Sequence, residues 1–250
     1  MTYALQTTNL IKRFGGFVAT NDVSLNVAAG ARHALIGPNG AGKTTLINLL
    51  TGFLAPTSGT VTLNGADVTG LAQHRRVKRG LARTFQINRL FLDMTVLESV
   101  VLAVCERQGI GARFWRPVGA CAEAIDAAAE ILQRLRLLDF AHHRTRDLAY
   151  GKQRLLEIAL ALAVNPTVLL LDEPAAGVPT TESRELFETI AQLPREVTIL
   201  LIEHDMDLVF RFADRISVLV AGAVLTENEP AAIAVDPQVK EVYLGEPAHA

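Results

Sequence analysis

Apolar and polar residues alternate along this chain in two distinct ways. "HALIG" (His33–Gly37), "VLLLD" (Val168–Asp172) and "TILLIE" (Thr198–Glu203) are short, nearly unbroken apolar runs. Such runs predict parallel strands buried on both faces. "VSLNV" (Val23–Val27) and "TVTLNG" (Thr60–Gly65) alternate apolar with polar, as antiparallel strands do, and Asn64-Gly65 supplies a turn. "YALQTTNLI" and "RISVLVAG" add two more strand-like runs. Between residues 94 and 165 the period changes. "MTVLESVVLAVCER", "ACAEAIDAAAEILQRLRLL" and "KQRLLEIALALAV" are rich in Ala and Leu at helical spacing. Asn165-Pro166 ends the last of these helices. The tail from residue 223 reads as a turn, a short helix and a loose end. The pattern predicts an α/β fold: a mostly parallel sheet, an antiparallel β side sheet and an inserted helical subdomain.

Composition narrows the function classes. The chain has 250 residues, half of them hydrophobic, and a net charge of -2. A sizeable core is affordable, and a general nucleic-acid binder, which needs a basic face, is not indicated. No apolar run reaches the roughly 18 to 20 residues that span a bilayer. The opening "MTYALQTTNLIKRFGG" lacks the apolar core of a signal peptide. Cys105 and Cys121 stand apart, with no CxxC, and read as reduced structural residues in a cytosolic setting.

The chemistry sits at strand ends. "GPNGAGKTT" comprises Gly37, Pro38, Asn39, Gly40, Ala41, Gly42, Lys43, Thr44 and Thr45, and matches G-x-x-x-x-G-K-[ST] between a strand and a helix. Glycines let backbone N–H groups turn in around phosphate oxygens, and the helix N-terminus favours negative charge. Lys43 reaches the β and γ phosphates, and the Thr44 hydroxyl is a ligand for Mg²⁺. "VLLLDEP" ends a buried strand in two carboxylates. Asp172 is placed to hold a water on Mg²⁺, and Glu173 to orient or deprotonate an attacking water. His204 ends the third buried run, where it could contact the γ-phosphate or the water. Gln86, in "RTFQ", could touch Mg²⁺ or the water. A lone glycine turn, a helix cap and a structural histidine are the plain alternatives, but three polar groups at the ends of adjacent parallel strands favour one shared site.

"GPNGAGKTT", "RTFQ", "LAYGKQ", "VLLLDEP", "EPAAG" and "LLIEHD" occur in an order that resembles the ATP-binding subunits of ABC transporters. The resemblance covers essentially the whole chain. It implies a single ATP-binding domain over residues 1–250: a P-loop core at 1–87 and 166–222, a helical subdomain at 88–165 and a tail at 223–250. It implies two such subunits closing head to tail around two ATP molecules, each gripped by the phosphate loop of one and the signature motif of the other. Thr44, Gln86 and Asp172 then serve Mg²⁺, Glu173 is the catalytic base and His204 the switch histidine. Phe14, in "KRFGG", corresponds to the aromatic that stacks on adenine; its plain alternative is a core Phe. Leu148, Ala149, Tyr150, Gly151, Lys152 and Gln153 form the signature that serves the partner's ATP. "INRLFLDMTVLESVVLA" corresponds to the segment that docks on membrane subunits.

"RFGGFVATNDVSL", "GLARTFQINRLFLDMTVLESV" and "VKEVYLGE" further resemble the larger ATPase of branched-chain amino-acid importers. Systems for urea or aromatic acids share these features. The implied partners are a second, different ATPase, two permease subunits and an extracytoplasmic substrate-binding protein, with this chain at the cytoplasmic face of the membrane. Trp115, within "ERQGIGARFWRPVGACAEA", reads as a packing anchor. Two alternatives stand beside this reading. One is a soluble ATP switch of the same fold, against which the short insert and single domain argue. The other is a docking subunit with weak hydrolysis. The signature departs from Leu-Ser-Gly-Gly-Gln at Ala149, Tyr150 and Lys152, and Pro179 stands where Asp or Asn is usual. Ala149 has no hydroxyl for a γ-phosphate, so an opposite site built from this chain is expected to be the weaker of two.

Overall fold

A computed structural model describes residues 2–84, 90–109 and 122–244. The chain divides into two compact units. One comprises Met1–Leu81, Thr167–Glu173 and Arg195–Ala250; the other comprises Ala82–Pro166 and Pro174–Pro194.

The first unit holds two sheets. The antiparallel one is ordered β2 (Phe17–Val23), β1 (Tyr3–Phe14), β5 (Ser58–Leu63) and β6 (Ala66–Asp67), and β3 (Asn26–Ala28) also pairs with β1. Asn64 and Gly65 both take positive φ, 49° and 77°, in the turn that joins β5 to β6. That is the backbone an Asn-Gly hairpin turn requires. The second sheet is ordered β11 (Ala223–Asn228), β10 (Arg215–Val220), β4 (Arg32–Ile36), β9 (Thr198–Ile202) and β8 (Val168–Asp172). The pairs β10–β4, β4–β9 and β9–β8 are parallel, and β11 is antiparallel. β7 (Leu81–Arg83) carries the chain into the second unit.

Burial explains the unbroken apolar runs. Every residue of β4, β8 and β9 is buried. Leu35, Leu170, Leu200 and Ile202 join a core with Leu46, Ile47, Leu49 and Leu50 of α1 (Lys43–Thr51) and with Leu5, Leu10, Val61 and Leu63 of the antiparallel sheet. Ala34, Ile36, Ile216 and Val218 point the other way. They pack with Val209 of α7 (Met206–Phe212), Ile233 of α8 (Pro230–Val235) and Val239 of α9 (Pro237–Leu244). Successive side chains of a strand face opposite ways, so a strand covered on both faces is mostly apolar, and the polar residues it does bury, such as His33, need partners.

The second unit is helical: α2 (Gln73–Val77) lies before it in the first unit, and α3 (Val96–Arg107), α4 (Ala122–Arg134), α5 (Tyr150–Ala163) and α6 (Thr180–Ala191) form it. Thr95 and Glu98 cap α3 reciprocally, at 3.2 and 2.8 Å. Ala124, Ala128 and Ala159, all buried, keep α4 and α5 thin enough to approach α3.

Two strands escape the sequence pattern. β2 is polar at Thr20, Asn21 and Asp22, and β11 at Thr226, Glu227 and Asn228, so neither gives a continuous apolar run. Both lie at a sheet edge, where burial demands little of the side chains. From residue 223 to 244 the chain is therefore a strand and two helices where the sequence suggested a turn and one short helix; the end beyond 244 lies outside the described residues.

β4, β10 and β11 share a polar chain that is buried at His33 and Ser217. His33 Nε2 meets Ser217 Oγ at 2.8 Å, and Ser217 Oγ donates to Glu227 Oε2 at 2.9 Å. Burial drives the His33 pKa from 6.5 down to about 4, against the nearby Glu227 carboxylate. The unfolded chain binds a proton at His33 below about 6.5 while the folded one does not. Stability is therefore lost as pH falls from 6.5 towards 4, and the loss levels off below that. At about 1.4 kcal/mol per pH unit, the stability gap between wild type and His33→Gln is expected to shrink by about 2 to 3 kcal/mol between pH 6.5 and pH 4.5. Urea unfolding at the two pH values measures it; a constant gap would refute the assignment.

Candidate nucleotide-binding site

Strand register brings the site together. Leu35 of β4 pairs with Ile202 of β9, and Ile202 with Asp172 of β8. These three residues lie level at the carboxyl ends of adjacent parallel strands, about 10 Å across two strand spacings. The segments that follow emerge side by side: Gly37–Gly42 after β4, Glu203–Asp205 after β9 and Glu173 after β8.

The glycine loop enters α1 through Gly42, the N-cap, at φ 99°. A Cβ there would lie 2.5 Å from the Ala19 carbonyl oxygen of β2, so glycine is required for conformation and for space. The Ala41 carbonyl accepts from the Gly222 N–H at 2.9 Å, and the Gly222 carbonyl from the Asn21 N–H at 2.7 Å. The loop is thus pinned to the turn that joins β10 to β11, which is itself held by β2. Lys43 Nζ folds back and donates to the Gly37 carbonyl and, at 3.0 Å, to the Pro38 carbonyl. Burial lowers the Lys43 pKa, while Glu173 and then Asp172 act to raise it. Both carboxylates therefore lie within electrostatic reach of the ammonium. Asn39, Gly40 and Thr44 are exposed, and Ala41 is buried.

Asp172 is buried, 4 % exposed. Glu173 is half-buried and takes φ 49°, the left-handed region that a non-glycine residue seldom occupies. Its N–H donates to the Ile202 carbonyl at 2.9 Å, which holds that conformation. His204 is exposed, and Glu203 beside it is buried, with its carboxylate accepting from the His204 backbone N–H at 3.2 Å. Asp205 caps α7 through the Leu208 N–H at 3.2 Å. Phe14 pairs with Phe17 across the Gly15-Gly16 turn and is 47 % exposed. A ring so exposed is not a core residue, and the Lys12 ammonium lies 5.1 Å from its centre. Thr45 is half-buried on α1. Gln86, Trp115 and Cys121 lie outside the described residues; Cys105 is buried.

The signature residues lie in the second unit. Ala149 is the N-cap of α5 and accepts no side-chain hydrogen bond there. Leu148 is buried and its carbonyl accepts from Gln153 Nε2 at 3.1 Å. The Gly151 N–H donates to Glu182 Oε2 at 2.9 Å. Lys152 lies over the Phe140 ring at 4.8 Å and 3.6 Å from Glu185. Pro179 is the N-cap of α6, and its carbonyl accepts from Ser183 N–H at 2.9 Å.

With a phosphate loop, two carboxylates and a histidine converging at level strand ends, comparison with known proteins becomes decisive. The ABC transporter family matches residues 20–176. This chain belongs to that family. It is 45% identical to the high-affinity branched-chain amino acid transport ATP-binding protein LivG of Salmonella typhimurium, over 97% of this chain and 98% of that protein. Its fold is similar to an ATP-binding cassette of an ABC transporter in its ADP conformation, with a TM-score of 0.85 and 33% identity, covering 98% of this chain and all of that one. It is also similar to a bacterial ABC transporter cassette of dimeric structure, with a TM-score of 0.74 and 28% identity, covering 90% and 98% of the two chains. As an ATP-binding cassette of that family, the chain is a nucleotide-binding ATPase.

The motifs did not flag three further residues, two in the first unit and one in the signature helix of the second. Buried Arg76 donates to the carbonyls of Leu49 and Leu50 at 2.7 and 2.6 Å, satisfying the last turn of α1. Tyr243 of α9 brings its phenol beside Gly37, and burial pushes its pKa up to about 12. Arg154 pairs with Glu157 at 2.9 Å in the buried face of α5, and burial pushes the Glu157 pKa up despite that partner. Of the three, only Arg154 left a trace in the sequence: two charges three residues apart in an apolar helix.

Gly42→Ala is expected to weaken binding of a fluorescent ATP analogue by at least about tenfold, since a strained left-handed residue costs about 1 to 3 kcal/mol and the Ala19 carbonyl must also yield. Equal affinity in equilibrium titration would remove the argument from close approach.

Proposed function

We propose that this chain is the ATP-hydrolysing subunit of an importer for branched-chain amino acids or a closely related solute. The observation that carries the reading is the level placement of the phosphate loop, Asp172, Glu173 and His204 at neighbouring strand ends. The 45% identity to LivG across nearly the full length of both chains supports the solute class.

Lys43 and the N–H groups of Gly37–Thr45 bind the phosphates, and Phe14 offers its exposed ring to adenine. The residues fit Mg²⁺. Thr44 presents an exposed hydroxyl and Asp172 a carboxylate, and no cluster of three or more His, Cys, Asp or Glu ligands occurs among the described residues. Mg²⁺ is commonly held by one or two carboxylates together with phosphate oxygens, rather than by an all-protein cage. Thr44 and Asp172 would hold it, with Gln86, and the ion would neutralise phosphate charge. Glu173 positions and deprotonates the attacking water, and its strained backbone keeps the carboxylate at the strand end. His204, exposed to the site, contacts the γ-phosphate.

The chain works in a dimer with a second, different ATPase, on the cytoplasmic side of the membrane. The bacterial cassette of dimeric structure supports such pairing. No helix among the described residues is long and apolar enough to cross a membrane, so membrane attachment runs through the permease subunits. Phe91, Leu92 and Leu102 are exposed apolar residues in the docking segment and form the contact surface. An extracytoplasmic binding protein delivers the solute. Because Ala149 offers no side-chain acceptor or donor, the site that uses this chain's signature is the weaker one.

In the assembled complex, Glu173→Gln is expected to retain ATP binding and to lower turnover by at least about a hundredfold at its own site. It is also expected to depress leucine uptake more than the matching change in the partner ATPase. Measuring ATPase rate and uptake in proteoliposomes checks both; a smaller effect of Glu173→Gln than of the partner's change would reverse the asymmetry.

A further inference from the structure

α5 begins without a cap of its own. Its N-cap residue, Ala149, has no side-chain oxygen, and the N–H groups of Lys152 and Gln153 turn back to the Ala149 carbonyl at 3.0 Å each. The Gly151 N–H finds its acceptor 31 residues away, in the carboxylate of Glu182 on the first turn of α6. The fit is close. A Cβ on Gly151 would lie 2.6 Å from Glu182 Oε2 and 3.1 Å from Glu182 Cβ, so a side chain there would push the carboxylate out of this position. The same segments meet at one further hydrogen bond, and the Tyr150 ring lies beside Gly177. Arg154 Nη2 donates to the Ala176 carbonyl at 3.3 Å, and a Cβ on Gly177 would meet the Tyr150 ring at 3.5 Å. Beside Glu182 is a cavity of about 240 Å³, whose lining includes Ala149, Lys152 and Glu185. Lys152 does not neutralise Glu182 there, because it is drawn aside to Glu185 and the Phe140 ring.

We propose that Glu182 is a positioning residue that holds the Gly151 donor in place of phosphate. This rests on the reading that the α5 N-terminus serves the partner's ATP. A single backbone N–H cannot serve a carboxylate and a phosphate together, and the two anions repel at that distance. Glu182 therefore swings away as the dimer closes on ATP, and its negative charge opposes closure at this site. The carboxylate does for the open chain what the missing serine cannot: it caps α5. It also ties the signature to the first turn of α6, while Arg154 ties the same helix to the Ala176 carbonyl.

Two measurements test this. In the isolated full chain without nucleotide, Glu182→Ala is expected to speed amide hydrogen exchange at Gly151 several-fold; unchanged exchange overturns the contact. In the assembled complex, Glu173→Gln in this chain silences its own site and leaves the opposite one to be read. There, Glu182→Gln keeps the shape and an acceptor but removes the charge. It is expected to lower KM for ATP about fivefold with kcat within about twofold, since a lost anionic repulsion of about 1 kcal/mol is about a fivefold change. An unchanged or raised KM makes Glu182 a structural cap and overturns the proposal. A complex that turns over ATP normally in other respects confines that failure to Glu182. A wild-type complex without ATP turnover would instead remove the functional reading, and this proposal with it.

Discussion

The parallel pairing of β8, β9 and β4 in one register is the constraint on which everything else in the first unit depends. Each of these strands is buried on both faces, so each is mostly apolar, and the buried Asp172 at the end of β8 and Glu203 just beyond β9 mark where polar chemistry begins. Level register then makes three strand ends one place. A slip of one residue would turn Asp172 to the other face and separate it from the loop that carries Lys43. Two apolar layers defend the register, one through α1 and the antiparallel sheet, the other through α7, α8 and α9.

The phosphate loop is held from behind as well as by its own Lys43, which donates to the Gly37 and Pro38 carbonyls. Gly42 accepts the approach of the Ala19 carbonyl, and Ala41 and Gly222 link it to the β10–β11 turn. At the far end of α1, Arg76 satisfies carbonyls that would otherwise be orphaned and buried. A loop that must cradle a highly charged ligand gains from being preformed, because ordering it on binding would cost affinity.

In the second unit the signature is unusual because its helix is capped from a distance. Ala149 gives up the local cap, and a carboxylate from α6 takes over. Lys152, one of the signature's departures, is engaged with Glu185 and Phe140. Pro179 likewise has a local duty, since it ends the extended chain and opens α6.

The sequence by itself determined the buried strands, the phosphate loop, the carboxylate pair Asp172-Glu173 and the Ala-rich helices. In each case the signal is local: burial on two faces demands unbroken apolar runs, and a loop around phosphate demands glycines at fixed offsets. It also carried the order of motifs that marks the family. Tertiary structure alone decided the rest. β2 and β11 are edge strands whose polar residues hide them. Arg76 and Tyr243 act on backbone groups tens or hundreds of residues away. The acceptor for Gly151 is Glu182, and no spacing rule connects a helix N-terminus to a residue on another helix. Such pairings depend on where the chain returns in space, and that is fixed by packing rather than by neighbouring residues.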